Sequence, residues 1–127
     1  MKFSYQFFRG LHYPIIPIKI SRNGEEVNTS AIVDSGASIS IFSSSIGRQI
    51  GIDIESGERR IFQGASAKLS GYVHEVKLTI GGMEVTCKAA FSDELGTSFN
   101  LLGREDVFDK FIVAFNEKNL EISIEPV

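Results

Sequence analysis

The sequence predicts a mostly β domain of closed-barrel type with one or two short helices. Three observations carry that prediction. About eight short segments are apolar or alternate apolar with polar residues, glycine-containing turns separate them, and only two stretches have helical spacing. The 127 residues are read as one domain, 1–127, long enough to bury a single core. No internal repeat, low-complexity tract or linker interrupts it.

In chain order, Phe3, Tyr5 and Phe7 alternate with Ser4 and Gln6, the two-residue period of a strand with one buried face, which Gly10 ends. The isoleucines of 14–20 predict a second strand, and Pro17, which has no N–H to donate, argues for an edge there. Asn23-Gly24 is a strong hairpin signal, so 25–33 returns antiparallel. Ile39, Ile41 and Phe42 continue an apolar stretch. Ser43, Ser44 and Ser45 then offer N-caps to a short helix carrying Ile46 and Ile50 and ending near Gly51. Ile52, Ile54 and Ile61 fit an extended reading with a turn at Ser56-Gly57. Two hairpins follow. One has arms at 59–63 and 68–73; the other turns at Gly81-Gly82 between 73–80 and 85–91. After the short apolar strand 99–102, Val107, Phe108 and Phe111 have the spacing of a second short helix. Two strands close the chain, 112–115 and the alternating Leu120, Ile122 and Ile124, around a polar turn at 116–119.

Composition narrows the function. Apolar residues at 43% and charged residues at 23% are globular proportions, and a net charge of -3 without any basic run gives no reason to expect nucleic acid or an anionic membrane. Neither a signal peptide nor a transmembrane segment is predicted. Cys87 is the only cysteine, so the core is held by packing, which fits a reducing, cytoplasmic setting. It lies in a strand-like stretch and reads as a small buried apolar residue. His12 and His74 read as surface or strand residues. No spacing of histidine and cysteine suggests a metal site, and no cofactor is predicted.

The chemistry concentrates in Ala31-Ile32-Val33-Asp34-Ser35-Gly36-Ala37-Ser38. An apolar strand there runs into an acid, a small hydroxyl residue and a glycine, whose backbone freedom lets the chain turn and another backbone approach. Asp34 would stand at a strand end facing a cleft. The tripeptide alone is better read as an ordinary surface turn, because the signal is so short. A second stretch, Phe99-Asn100-Leu101-Leu102-Gly103-Arg104, repeats the pattern of apolar strand and glycine. A nucleophile elbow is not supported, because Gly36-Ala37-Ser38-Ile39-Ser40 ends in serine.

Taken together, the order and separation of these two stretches resemble the single-domain retropepsin-like aspartic proteases, over roughly 14–127. The resemblance implies a homodimeric aspartic endopeptidase acting on a peptide or protein substrate. Its catalytic residue would be Asp34. Substrate binding or loop support would fall to Ser35, Gly36, Ala37 and Ser38, to the flap tip Gly64, Ala65, Ser66 and Ala67, and to Leu102, Gly103 and Arg104. The dimer is needed because the chemistry uses two carboxylates sharing a proton, and no second Asp-Ser-Gly or Asp-Thr-Gly occurs in the chain. Either 3–8 or 120–125 would then pair across the two-fold. A catalytically weak peptide-binding module of the same fold is the alternative. Ser38 stands where retroviral members carry a second acid, so Arg104 is left to bond Ser38 or backbone carbonyls, or to stand in solvent.

Overall fold

Among the described residues, the chain reverses direction three times through pairs of residues with positive φ. Asn23 and Gly24 lie at 51° and 85°, Gly81 and Gly82 at 55° and 84°, and Arg9 and Gly10 at 49° and 85°. Such pairs match the right-handed twist of the strands they join. The computed structural model describes residues 1–63, 68–95 and 99–127. Its strands are β1 (Lys2–Ser4), β2 (Gln6–Phe8), β3 (Leu11–Tyr13), β4 (Ile15–Arg22), β5 (Glu25–Val33), β6 (Ser40–Ser43), β7 (Glu58–Gln63), β8 (Lys68–Ile80), β9 (Met83–Ser92), β10 (Asn100–Leu102), β11 (Phe111–Asn116) and β12 (Glu121–Pro126). A six-residue helix, α1 (Ser44–Gln49), follows β6.

The larger sheet runs β4-β5-β10-β6-β9-β8-β7, and Lys19, Ile20 and Ser21 of β4 pair in addition with Thr79, Leu78 and Lys77 of β8. Pro17 lies before that extra pairing and faces only Ser30 of β5 among the described residues, as a residue without an N–H requires. Ile16, Ile20, Phe42, Ile50, Leu78, Phe91 and Leu102 meet in one core, which Phe111, Ile122 and Ile124 of the terminal strands join. A smaller cluster of Ile39, Ile41, Ala90 and Leu95 packs beside Leu69 and Leu101. Cys87 is buried in the main core, and burial pushes its thiol up to about 12. No helix among the described residues is long and apolar enough to cross a membrane.

Four expectations need correction. The first strand is broken at Tyr5, which is buried and donates its N–H to the Leu120 carbonyl at 2.8 Å. Its halves go different ways, β1 to β12 and β2 to a hairpin with β3 that leaves Phe7 and Leu11 exposed. Secondly, 104–110 is a run of turns rather than a helix, because Asp106 takes a left-handed φ of 62°. Thirdly, the middle of 52–63 is not extended: Ile54–Ser56 forms a single 3-10 turn, whose Ile54 carbonyl bonds the buried ring of His74 at 2.8 Å. Finally, β12 pairs with β1 on one edge and β11 on the other, so it has no edge left to offer.

α1 ends where expected, with Gly51 at φ 81°. Its N-cap Ser43 makes no side-chain capping bond; the hydroxyl meets that of Ser45 instead.

Candidate active site

β10 is the wedge on which the site is built. It runs parallel to β5, with Asn100, Leu101 and Leu102 opposite Ala31, Ile32 and Val33, and antiparallel to β6 through Leu101 and Ile41. The loop from Val33 to Ser40 is therefore held open by a strand inserted between its two ends. The Asp34 N–H donates to the Leu102 carbonyl at 3.0 Å, and Ala37 N–H closes the turn onto the Asp34 carbonyl at 3.2 Å. Beyond β10 the chain bonds the same loop again, Arg104 N–H to the Ala37 carbonyl and Glu105 N–H to the Ser38 carbonyl, both at 2.9 Å.

Gly103 is required by closeness rather than by φ. A Cβ there would lie 2.4 Å from the Ile39 carbonyl group and 2.8 Å from the Ser40 nitrogen. Its own N–H donates to the fully buried Ser40 hydroxyl at 3.0 Å. Gly36 likewise has no left-handed φ, contrary to the expectation of unusual backbone angles. Its N–H donates to Asp34 Oδ1 at 2.9 Å, and an added Cβ would stand 3.2 Å from that oxygen.

The half-buried Asp34 lines a cleft of ≈ 490 Å³ together with Gly36, Ala37, Ser38, Ile41 and Leu101. Phe62 and Gln63 of β7 and Lys68 and Leu69 of β8 form the opposite wall. β7 and β8 pair from Glu58–Val73 to Gln63–Lys68, so the expected hairpin arms are present. The expected flap tip, Gly64, Ala65, Ser66 and Ala67, lies outside the described residues. Glu94 closes one end of the cleft, accepting from the Ser70 N–H at 2.6 Å and its hydroxyl at 2.5 Å. Those two donors hold the Glu94 carboxyl below its ordinary value. A larger hollow of ≈ 620 Å³ beside Arg22, Glu26, Glu75, Lys77 and Glu84 contains none of the predicted site residues. The acid loop, β10 and the β7–β8 arms converge instead on the smaller cleft, which Asp34 lines.

A family model for aspartyl proteases matches residues 16–105. The chain belongs to this retropepsin-like aspartyl protease family. The matched span begins in β4 and ends just past Arg104, enclosing the acid loop, the β7–β8 arms and β10. A comparison with curated proteins finds no match.

Within this aspartyl protease domain, Asp34, Gly36, Ala37 and Ser38 come together at the cleft, while Leu102 and Gly103 lie buried under the loop. Ser35 is exposed, and no hydrogen bond engages its hydroxyl among the described residues. Arg104 ties the loop by its main-chain N–H, and its side chain stands exposed. Sequence reasoning missed Ser40 and Asn100. The Asn100 side chain donates to Ser30 O at 2.9 Å and accepts from Ser43 N–H at 3.0 Å, bridging the strands on either side of it. The available signal was a polar residue inside each of two apolar stretches. Among the described residues no three His, Cys, Asp or Glu side chains gather to hold a metal ion.

Proposed function

We propose that this aspartyl protease domain is a homodimeric endopeptidase, with Asp34 of each subunit forming the catalytic pair. The observation that carries the reading is the placement of Asp34. Its carboxylate sits at a cleft between a fixed loop and a strand hairpin, and Gly36 N–H is its only hydrogen-bond donor among the described residues. One carboxylate lacks the means for the reaction. Two of them about 3 Å apart hold one proton between them, because both cannot ionise cheaply. The ionised Asp34 takes a proton from water as its oxygen attacks the scissile carbonyl carbon. The protonated partner donates to the carbonyl oxygen, and the leaving amine is protonated as the C–N bond breaks. The titration belongs to the pair.

The exposed Ser35 hydroxyl suits a grip on the opposing loop, and the Gly36 carbonyl suits a hydrogen bond from the substrate backbone. The β7–β8 hairpin is read as the flap that covers an extended peptide. Pairing that passes from β4 through β5, β10, β6, β9 and β8 back to β4 supports reading the larger sheet as a closed barrel. With β12 fully paired, the edges of β1 and β11 are the places where the terminal sheet can extend across a two-fold.

The test is a mass-spectrometric digest of a diverse peptide pool by wild type and Asp34→Asn, from about pH 3 to 7, with protein concentration varied. Cuts that vanish in the variant and rise more steeply than linearly with wild-type concentration support the reading. Identical cuts by both proteins, or none by either, refute it; peptide binding without turnover would mark a binding module.

A further inference from the structure

His74 is a buried titratable side chain that stands apart from the cleft of Asp34. Its burial follows from the alternation along β8, where His74, Val76, Leu78 and Ile80 face the core while Glu75 and Lys77 are exposed. Its two partners fix the tautomer. Nε2 lies 2.8 Å from the Ile54 carbonyl, which can only accept, and Nδ1 lies 3.4 Å from Arg22 Nη1, which can only donate. Both bonds are satisfied when the ring is neutral, with its proton on Nε2 and a lone pair facing the guanidinium. Arg22 continues the inward face of β4 after Ile16, Ile18 and Ile20, and it reaches His74 just beyond Ser21 and Lys77, where the β4–β8 pairing ends.

The other side of the ring supports the foot of β7. The Ile54 carbonyl also accepts from the Gly57 N–H at 3.2 Å. A Cβ on Gly57 would lie 2.5 Å from both His74 Nε2 and the Val73 carbonyl, so the chain passes directly over the ring. Glu58, the next residue, opens the β7–β8 pairing opposite Val73. The other titratable groups on the elements around the ring are Asp53, Glu55, Glu58, Tyr72, Glu75 and Lys88. None of them is hydrogen-bonded to it among the described residues, and Arg22 forms no ion pair there.

We propose that His74 and Arg22 form a pH-sensitive latch, which holds the foot of the β7–β8 arms while the ring is neutral and releases it when Nδ1 takes up a proton. Histidine is the side chain whose charge ordinarily changes between about pH 5 and 8. A proton on Nδ1 turns the acceptor into a donor and sets two positive charges against each other with no carboxylate bonded to either. Arg22 has a place to go. It lines the hollow of ≈ 620 Å³ together with Glu75, which has no ion pair among the described residues, whereas Glu26 and Glu84 there pair with Lys19 and Lys77. The charged ring is then left with an unpartnered N–H inside the core. It meets water by shifting from beneath Gly57, which breaks the bond to Ile54. Phe62 and Gln63, at the far end of β7, line the cleft of Asp34, so the latch makes access to that cleft depend on pH.

The latch belongs to the fold and is measured without peptide cleavage, so it stands or falls apart from the protease reading. Ring-nitrogen NMR of the full chain is expected to show the Nε2–H tautomer at about pH 8. The protection factor of the Gly57 amide, corrected for intrinsic exchange, is expected to fall about tenfold by about pH 5.5 while that of Asp34 holds. His74→Gln keeps a donor for the Ile54 carbonyl but takes up no proton, and Arg22→Met removes the opposed charge; each should reduce the fall to less than about twofold. Arg22→Met, at a half-buried position where the β4–β8 pairing ends, carries the test should His74→Gln not fold. An Nδ1–H tautomer, no fall in wild type, or an undiminished fall in either variant overturns the proposal.

Discussion

On one side of the cleft the Asp34 loop is fixed by main-chain hydrogen bonds from Asp34, Ala37, Arg104 and Glu105, over a glycine with no room for a Cβ. On the other side the β7–β8 arms pair with each other along their main chains, but beyond Tyr72 they are tied to the rest of the domain, among the described residues, by side chains: Glu94 accepts from Ser70, and the Ser92 hydroxyl donates to the Ser70 carbonyl. Main-chain groups have no rotamers to lose, so the loop keeps one geometry. Exposed polar side chains exchange their partners for water at little cost. On the proposed reading, the reacting group is thus held where movement would spoil alignment, and the flap where movement would admit substrate.

The largest expected effect breaks the chemistry alone. Asp34→Asn should lower peptide cleavage by at least about a thousandfold and leave the fold intact by circular dichroism. Gly103→Ala attacks the fixed side. Its methyl meets main-chain atoms that cannot rotate away, so a loss of about 3 kcal/mol is expected in chemical denaturation, with activity lost as the loop shifts. Ser40→Ala leaves the buried Gly103 N–H without its acceptor, and about 2 kcal/mol should go in the same assay. On the movable side, Glu94→Ala should raise KM by about threefold with kcat kept, since it loosens the arm without touching the loop. Equal effects of Glu94→Ala and Ser40→Ala on stability would erase the contrast.

Acid should separate the two sides as well. The Glu94 pKa is lowered in the folded chain, so its tie to Ser70 is fully present above its ordinary pKa of 4.5 and lost as pH falls through the lowered value. The protection factor of the Ser70 amide, corrected for the intrinsic exchange rate at each pH, should therefore fall on acidification, while that of Asp34, bonded to a main-chain carbonyl, keeps its value relative to the core.

The hairpin turns at Asn23-Gly24 and Gly81-Gly82 were legible because both residues of each pair tolerate positive φ, and the length of β5 followed from them. Arg9-Gly10 makes the same turn, yet Phe7 and Leu11 beside it are exposed, so apolar alternation pointed to a buried strand that does not continue. Val107, Phe108 and Phe111 kept helical spacing, but nothing local announces that Asp106 turns left-handed. The acid loop itself was readable from Asp34, Gly36 and Gly103. Its supports were not, because Ser40 and Asn100 act on residues far away in sequence, and only the insertion of β10 between β5 and β6 brings them there.

β8 is one uninterrupted strand of 13 residues, but it is not supported evenly. From Tyr72 to Ile80 it pairs with β9, whereas Lys68, Leu69, Ser70 and Gly71 pair with β7 alone among the described residues. Mechanically it is a beam clamped by a main-chain ladder along its rear and held at its front by β7 and by side chains at Ser70, with Gly71 at the root, where an added Cβ would press to 3.0 Å on the Phe91 carbonyl. The stiffness of the arm is then set at that root, well away from the Asp34 carboxylate across the cleft.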